Sequence, residues 1–364
     1  MPTEPRDLPD PATEIRMTTL HATRGANFWS RSPVTRLDLA VGAYEDISSA
    51  DAPWAGDLLR RAMPALVEHR CSVGERGGFL RRLRAGTYAP HIVEHVALEL
   101  QTMIGHEVGF GRTRGGDVAG EYTLVFEHLH EAVGLRAAAL ALEAVQRAFA
   151  GTLADVDGAV AELRALAQAP DAPPLRQDVL CAITGGRGRD ETRRLLGAAV
   201  TCGDELVVDV SPAFILQAGL PFRRAEVGVI LDAAPNDVPP RYREEARAQR
   251  LLGTLADGVR RDGIVIVPAK EWELQEMARD ADCRVAIFAT GDDVTRRDRK
   301  YARAAAWVAE GRILVDGADG PEVVGALTDG LPAAAQVAAA LAAETLADLG
   351  RCARSRRTPD AAVA

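Results

Sequence analysis

Apolar residues at Ile92, Val93, Val96, Leu100, Met103 and Ile104 recur every three or four positions up to Gly105. This spacing predicts a helix over about 90–105, with Pro90 in its first turn. A second helical pattern runs over 57–70 through Leu58, Leu59, Met63, Leu66 and Val67, and Pro64 marks a kink in it or a delayed start. The two are separated by a glycine-broken loop at 72–78. The β-branched and aromatic content of 121–128 predicts a strand, and the alanine- and leucine-rich stretch 132–149 predicts a long helix.

Beyond a proline-bearing linker at 167–175, the pattern changes. Short apolar runs at 179–183, 206–210, 227–231, 264–267 and 285–288 alternate with helix-like segments at 190–199, 241–258, 271–280 and 297–309. Such alternation predicts a largely parallel sheet covered by helices. The fold class expected is an α+β N-terminal module followed by an α/β domain. The boundaries read as a flexible N-terminal segment over 1–23, a module over 24–166, an α/β domain over 176–330, and a C-terminal helix with a disordered tail over 331–364.

A chain of 364 residues, 47% hydrophobic and 26% charged, is long enough for two or three domains with their own cores. Its net charge of −9 argues against a general nucleic-acid binder. Five cysteines, widely spread and never in a C-x-x-C pair, fit a reducing compartment. The first sixteen residues lack the apolar core of a signal peptide, and the alanine-rich run at 333–349 is broken by Gln336, Glu344 and Asp348, so a cytoplasmic protein without a membrane span is expected. Six of the seven histidines lie between His69 and His130, which confines imidazole chemistry to the first half.

Within the 90–105 helix, His91 and His95 stand one turn apart with Glu94 between them. Residues at i and i+4 share a face, neutral imidazole ligates zinc well, and a neighbouring carboxylate can take a proton from water. The order H-x-x-E-H is the inverted form of the H-E-x-x-H zinc signature. The same residues also suit two part-buried histidines at the edge of a core.

Further residues carry a family likeness: Glu68-His69-Arg70-Cys71-Ser72, Gly77-Gly78-Phe79, Gly86-Thr87, the stretch from His91 to Gln101, Val108-Gly109-Phe110-Gly111-Arg112-Thr113-Arg114, and Val125-Phe126-Glu127. Together they resemble the N-terminal module of cyanophycin synthetases, over about 24–150. In that family the module precedes an ATP-grasp ligase domain, absent here, and a Mur-ligase-like domain, which the second half resembles. Where the family's phosphate loop reads like TGTNGKTT, this chain has Thr184-Gly185-Gly186-Arg187-Gly188-Arg189-Asp190-Glu191. Arg189 stands in place of the lysine, and two carboxylates in place of hydroxyls, an arrangement that repels a triphosphate. The family's metal-binding glutamate aligns with Asp209, its next strand-end motif with Asp232 and Asn236-Asp237, and its nucleotide-reading segment with the five residues from Val267 to Glu271. The resemblance thus implies a Mur-ligase-like domain that no longer ligates, and no ATP is expected.

The likeness also implies a metal-dependent, peptidase-like activity in the first module. The expected site has zinc on His91 and His95, with Glu127 as third ligand and Glu131 or Glu99 in reserve. Glu94 is the expected general base. Arg112, Arg114 and Arg70, and also Arg82, are candidates to pair with substrate carboxylates. Glu68, His69, Glu99 and Glu131 are candidates to orient ligands from behind. Cys71 reads as a small buried residue rather than a nucleophile. The expected substrate is a small peptide or polymer of β-aspartyl-arginine type, handled by a homo-oligomer without nucleic acid or membrane. Two other readings stand beside hydrolysis: a non-catalytic protein serving peptide binding or oligomerisation, and an ATP-dependent amide ligase.

Overall fold

The computed structural model describes residues 4–172, 175, 177–201, 206–291, 294–317 and 320–352. The chain divides into two units, one of residues 1–23 and 32–174 and the other of residues 24–31 and 175–364. The expected disordered tail falls at 353–364, outside the described residues.

The first unit contains α1 (Pro11–Glu14), β1 (Arg16–Ala22), β2 (Val34–Ala40), α2 (Pro53–Ala62), α3 (Gly78–Ala85), α4 (Ala89–Thr102), β3 (Gly111–Gly115), β4 (Glu121–Glu127), α5 (Glu131–Phe149) and α6 (Asp157–Ala167). Its four strands form an antiparallel sheet in the order β1-β2-β4-β3. One face of that sheet carries Leu37, Leu39, Leu124 and Phe126, which share a core with α4 and α5. Of the segment over 1–23 expected to be flexible, the described residues 4–23 are built into this unit. Asp10 caps α1, β1 pairs along β2, and Gln146 of α5 donates to the Ile15 carbonyl. Its polar composition hid the strand because β1 is an edge strand, mostly exposed at its start.

Helix α4 is buried on nearly all sides: every residue from Ala89 to Gln101 except His91 is buried. Pro90 sits in its first turn, as the pattern predicts. The 57–70 pattern resolves into α2, which ends at Ala62, and a 3₁₀ turn over Pro64–Glu68, since proline cannot continue the ladder of α2.

The second unit contains β5 (Asp178–Thr184), α7 (Arg189–Ala199), β6 (Val207–Asp209), α8 (Pro212–Ala218), β7 (Arg224–Ile230), α9 (Glu245–Asp257), β8 (Val259–Pro268), α10 (Trp272–Asp280), β9 (Arg284–Phe288), α11 (Arg296–Tyr301), β10 (Ala305–Ala309), β11 (Arg312–Gly317), β12 (Gly320–Ala326) and α12 (Ala333–Asp348). The eight strands run in the order β12-β11-β10-β9-β8-β7-β5-β6, parallel from β6 to β10 and antiparallel from β10 to β12. Successive residues of β8 serve opposite cores: Val265 and Val267 face one, Ile264 and Ile266 the other. Burial on both faces is what makes such strands read as continuous apolar runs. The segment expected as a helix over 297–309 is instead α11 followed by β10, where Ala305 and Ala306 pair with β9 and four residues pair with β11. Tertiary pairing overrides the helical preference of alanine there.

Cys71, Cys181 and Cys283 are free thiols, and Cys352 lies in a disulfide that the spacing does not suggest. Among the described residues, no helix is long and apolar enough to cross a membrane.

On the sheet face away from α4, Asp38 ties three strands together. Its carboxylate accepts from Thr19 of β1, from Thr123 of β4 at 2.6 Å and from Arg36 at 3.1 Å. Burial alone would raise its pKa, but the Arg36 charge and the two hydroxyls outweigh burial and hold it below the usual value. Replacing Asp38 with alanine is expected to cost roughly 2 kcal/mol at neutral pH. Because the folded-state pKa is depressed, that contribution is complete above the normal carboxylate range and is lost as pH falls through the folded value. Urea unfolding of wild type and Asp38→Ala should therefore differ at neutral pH and converge in acid.

Candidate metal centre

Three ligand-bearing side chains gather at the N-terminal half of α4. The ligand atoms of Cys71, His91 and His95 all lie within 4.8 Å of one another. Helical spacing places the two imidazoles together, their ring centroids 4.8 Å apart. Cys71 arrives from the turn before α3, with its Sγ 3.3 Å from Nε2 of His91. Its backbone is left-handed, at φ +54°, which costs a non-glycine residue about 1 kcal/mol. That turn packs tightly on α3, because a Cβ at Gly78 would stand 2.0 Å from the Arg70 carbonyl oxygen.

Each histidine is held from behind. Nδ1 of His91 lies 2.8 Å from the Thr87 hydroxyl, which leaves Nε2 facing Cys71. Nδ1 of His95 lies 2.9 Å from Nδ1 of His69, whose Nε2 is 2.9 Å from Glu99, a carboxylate only 2% exposed. Phe79 stacks on the His95 ring at 4.0 Å. Burial, and then the Arg82 charge, bring the His91 pKa down to about 4; burial, with His91 and His69 beside it, brings that of His95 to about 2. Both rings are therefore neutral at physiological pH, the form a metal needs.

Glu94 projects from the same turn and is buried. It accepts a hydrogen bond of 2.5 Å from the Thr113 hydroxyl on β3. Burial raises its pKa to about 7, against the lowering effects of Thr113, Arg112 and His69. Space for this carboxylate exists because residue 111 is glycine: a Cβ there would lie 2.6 Å from Oε1 of Glu94. Cys71, His91, His95, His69, Glu99, Thr87, Glu94, Gly111 and Thr113 line one cleft of about 980 Å³, whose walls also carry Arg70, Arg82, Arg112 and Arg114.

A second candidate site lies at the loop after β5 in the second unit. Strands β6 and β7 flank β5 on opposite sides, so this loop sits at the topological switch point where α/β sheets bind ligands. Here the loop is filled from within. The Asp232 carboxylate accepts from the backbone N–H of Gly186 at 2.9 Å, Arg187 at 3.2 Å and Ala234 at 2.9 Å. Arg189 turns back to donate to the Gly185 carbonyl and stands 3.7 Å from Asp237. Asp190 pairs with Arg193 and Arg194, and Asp209 with Arg193.

Comparison with known proteins places the first site in a family context. Residues 36–150 match the cyanophycin synthase-like N-terminal domain. The cyanophycin synthetase of Synechocystis sp. is 50% identical over 115 residues, which are 30% of this chain and 13% of that protein. That of Trichormus variabilis is 43% identical over 136 residues, 36% of this chain and 15% of the relative. The chain therefore matches about one-seventh of the length of these relatives. In architecture, it is similar to a murein peptide ligase from Psychrobacter arcticus, with a TM-score of 0.31, 13% identity, and coverage of 45% of this chain and 43% of the other. It is also similar to MurF ligase from Thermotoga maritima in complex with ADP, with a TM-score of 0.33, 11% identity, and coverage of 48% and 46%.

The cleft brings together His91, Glu94 and His95 with Glu68, His69, Glu99, Arg70, Arg112 and Arg114 from the expected set. It does not include Glu127. Leu124 and Phe126 point into the core shared with α4, so strand alternation turns Glu127 to the opposite face, where it accepts from the Gly109 N–H at 3.4 Å. Cys71 stands beside the two imidazoles instead, in a group that could hold a metal. Glu131 begins α5, and its N–H donates to Asp171, away from the cleft. Glu99 braces His69 rather than reaching the ligand group, and Glu68 pairs with Arg76 at the rim. The residues that sequence reasoning misses are Cys71, Thr87, Gly111 and Thr113. The signal for Cys71 was its place two residues after His69 and just before a glycine-broken loop.

The contrast between neighbouring glycines gives a direct check. Gly111→Ala should destabilise the unit by about 1–3 kcal/mol as Glu94 is displaced. Gly109→Ala, where a Cβ meets nothing within 4 Å, should shift stability by less than about 0.5 kcal/mol. Chemical denaturation of both variants measures the difference.

Proposed function

We propose that the first unit is a metal-dependent amide hydrolase, with a metal ion held by Cys71, His91 and His95 and Glu94 as general acid and base. The observation that carries this reading is the convergence of those three ligand atoms within 4.8 Å, one helical residue from a buried carboxylate in the same cleft. Neutral imidazoles and a thiol that can ionise on binding are donors suited to zinc. Bound there, zinc would supply Lewis-acid polarisation of the substrate carbonyl and acidify water.

The remaining chemistry belongs to the chain. Glu94 Oε takes a proton from water as the water oxygen bonds to the amide carbon. The same carboxyl then delivers that proton to the departing nitrogen as the C–N bond breaks. A pKa near 7 suits both transfers. Thr113 and Gly111 fix where the carboxylate stands, and the Glu99–His69 pair steadies the His95 ring. Arg70, Arg82, Arg112 and Arg114 line the cleft, and their positive charge favours a substrate with carboxylates. Similarity to cyanophycin synthetases favours an amide or isopeptide of β-aspartyl-arginine type.

In the second unit, we infer that nucleotide is not bound. The Asp232 carboxylate already takes the loop amides that would meet a phosphate. Calorimetric titration with magnesium and ADP should show no saturable heat.

Metal analysis of the purified protein should give about one zinc per chain, lost in His91→Ala and in Cys71→Ser. Glu94→Gln should keep the metal and lose hydrolysis of a β-aspartyl-arginine substrate by at least about a hundredfold. Full metal content in the His91→Ala variant, or undiminished cleavage by Glu94→Gln, would remove the basis of the assignment.

A further inference from the structure

The cleft has one wall that the ligand group and the carboxylate do not account for. Strand β3 is an edge strand, paired on one side with β4 and on the other with no described strand. Its register fixes which backbone groups face outward. Glu127 donates to the Phe110 carbonyl at one end of the ladder, and Gly116 donates to the Glu121 carbonyl at the other. Residues 110, 112, 114 and 116 are therefore the ones bonded to β4, and the N–H and C=O groups of Gly111 and Thr113 point to the open edge. Those two residues also line the cleft, and Thr113 is the one that touches Glu94.

We propose that β3 is the substrate-binding strand: an extended acidic peptide pairs main chain to main chain with Gly111 and Thr113, and so presents an amide to Glu94 and the metal ligands. The location of the reacting amide rests on the function proposed above; the pairing itself does not. Outward groups two residues apart recur about every 7 Å, the repeat of an extended peptide and not of a helix. The charge of the walls selects the occupant. Arg70, Arg82, Arg112 and Arg114 line the cleft, while two of its acids are already engaged, Glu68 with Arg76 and Glu99 with His69.

The test is binding, measured on the metal-free protein so that no turnover occurs. Three fluorescent hexa-aspartates of equal charge are compared: unmodified, N-methylated at every second amide, and N-methylated at every amide. The first two each retain one complete edge of N–H groups and should bind within about threefold of each other; the third should bind at least about tenfold more weakly. Equal binding of all three, which is attraction by charge alone, overturns the proposal, as does failure of the unmodified peptide to bind. On the protein side, Thr113→Pro removes an outward N–H without taking a bond from β4 and should weaken binding about tenfold. Should the proline variant not fold, the peptide series decides alone. The expected peptide ranking without metal uptake would refute hydrolysis and leave strand pairing standing; metal-dependent cleavage with equal binding of all three peptides would do the reverse.

Discussion

The first unit depends on a helix that is buried nearly all round and yet carries polar groups. Helix α4 holds Glu94, His95, Glu99 and Gln101 at 6% exposure or less, largely shielded from solvent. A buried polar group without a partner costs about 1–3 kcal/mol, and a charged one more, so the neighbouring elements are arranged to supply partners. Thr113 meets Glu94, His69 meets both His95 and Glu99, and Gln101 donates to the carbonyls of Ala97 and Glu127. Chemistry follows from that constraint. Imidazoles too buried to hold a proton are ready ligands, and a carboxylate whose pKa burial has raised is ready to exchange one.

The surrounding backbone is shaped to the same end. Cys71 keeps a left-handed conformation that few cysteines adopt, and Gly78 and Gly111 leave room where any side chain would collide. The second unit shows the opposite economy. Its switch-point loop is satisfied internally by Asp232, with Arg189 and Asp190 engaged nearby, so its polar groups are matched to one another.

The alternation of apolar runs and helical segments was enough to read the parallel sheet of the second unit, because burial on both faces leaves an unbroken hydrophobic signal at β5, β7, β8 and β9. The strands at its antiparallel end were not legible. Pairing partners, not composition, make β10 a strand, and its alanines read as helix until β9 and β11 are alongside. In the first unit, β1 and β2 escaped notice for a related reason: charged and hydroxyl side chains such as Asp38, Arg36 and Thr123 satisfy each other across strands, which a one-dimensional pattern does not record.

By itself, the sequence determined helix α4 and the joint placement of His91, Glu94 and His95, because helical periodicity is local and puts residues four apart on one face. Only the tertiary structure decided which remote side chain stands beside them. Glu127 and Cys71 are both remote from α4 in sequence, and the choice between them rests on which face of β4 a side chain takes and on how the turn before α3 folds back. Strand alternation sends Glu127 away, and the Gly78 contact brings Cys71 in; both are consequences of packing over long sequence separation, which no local pattern encodes.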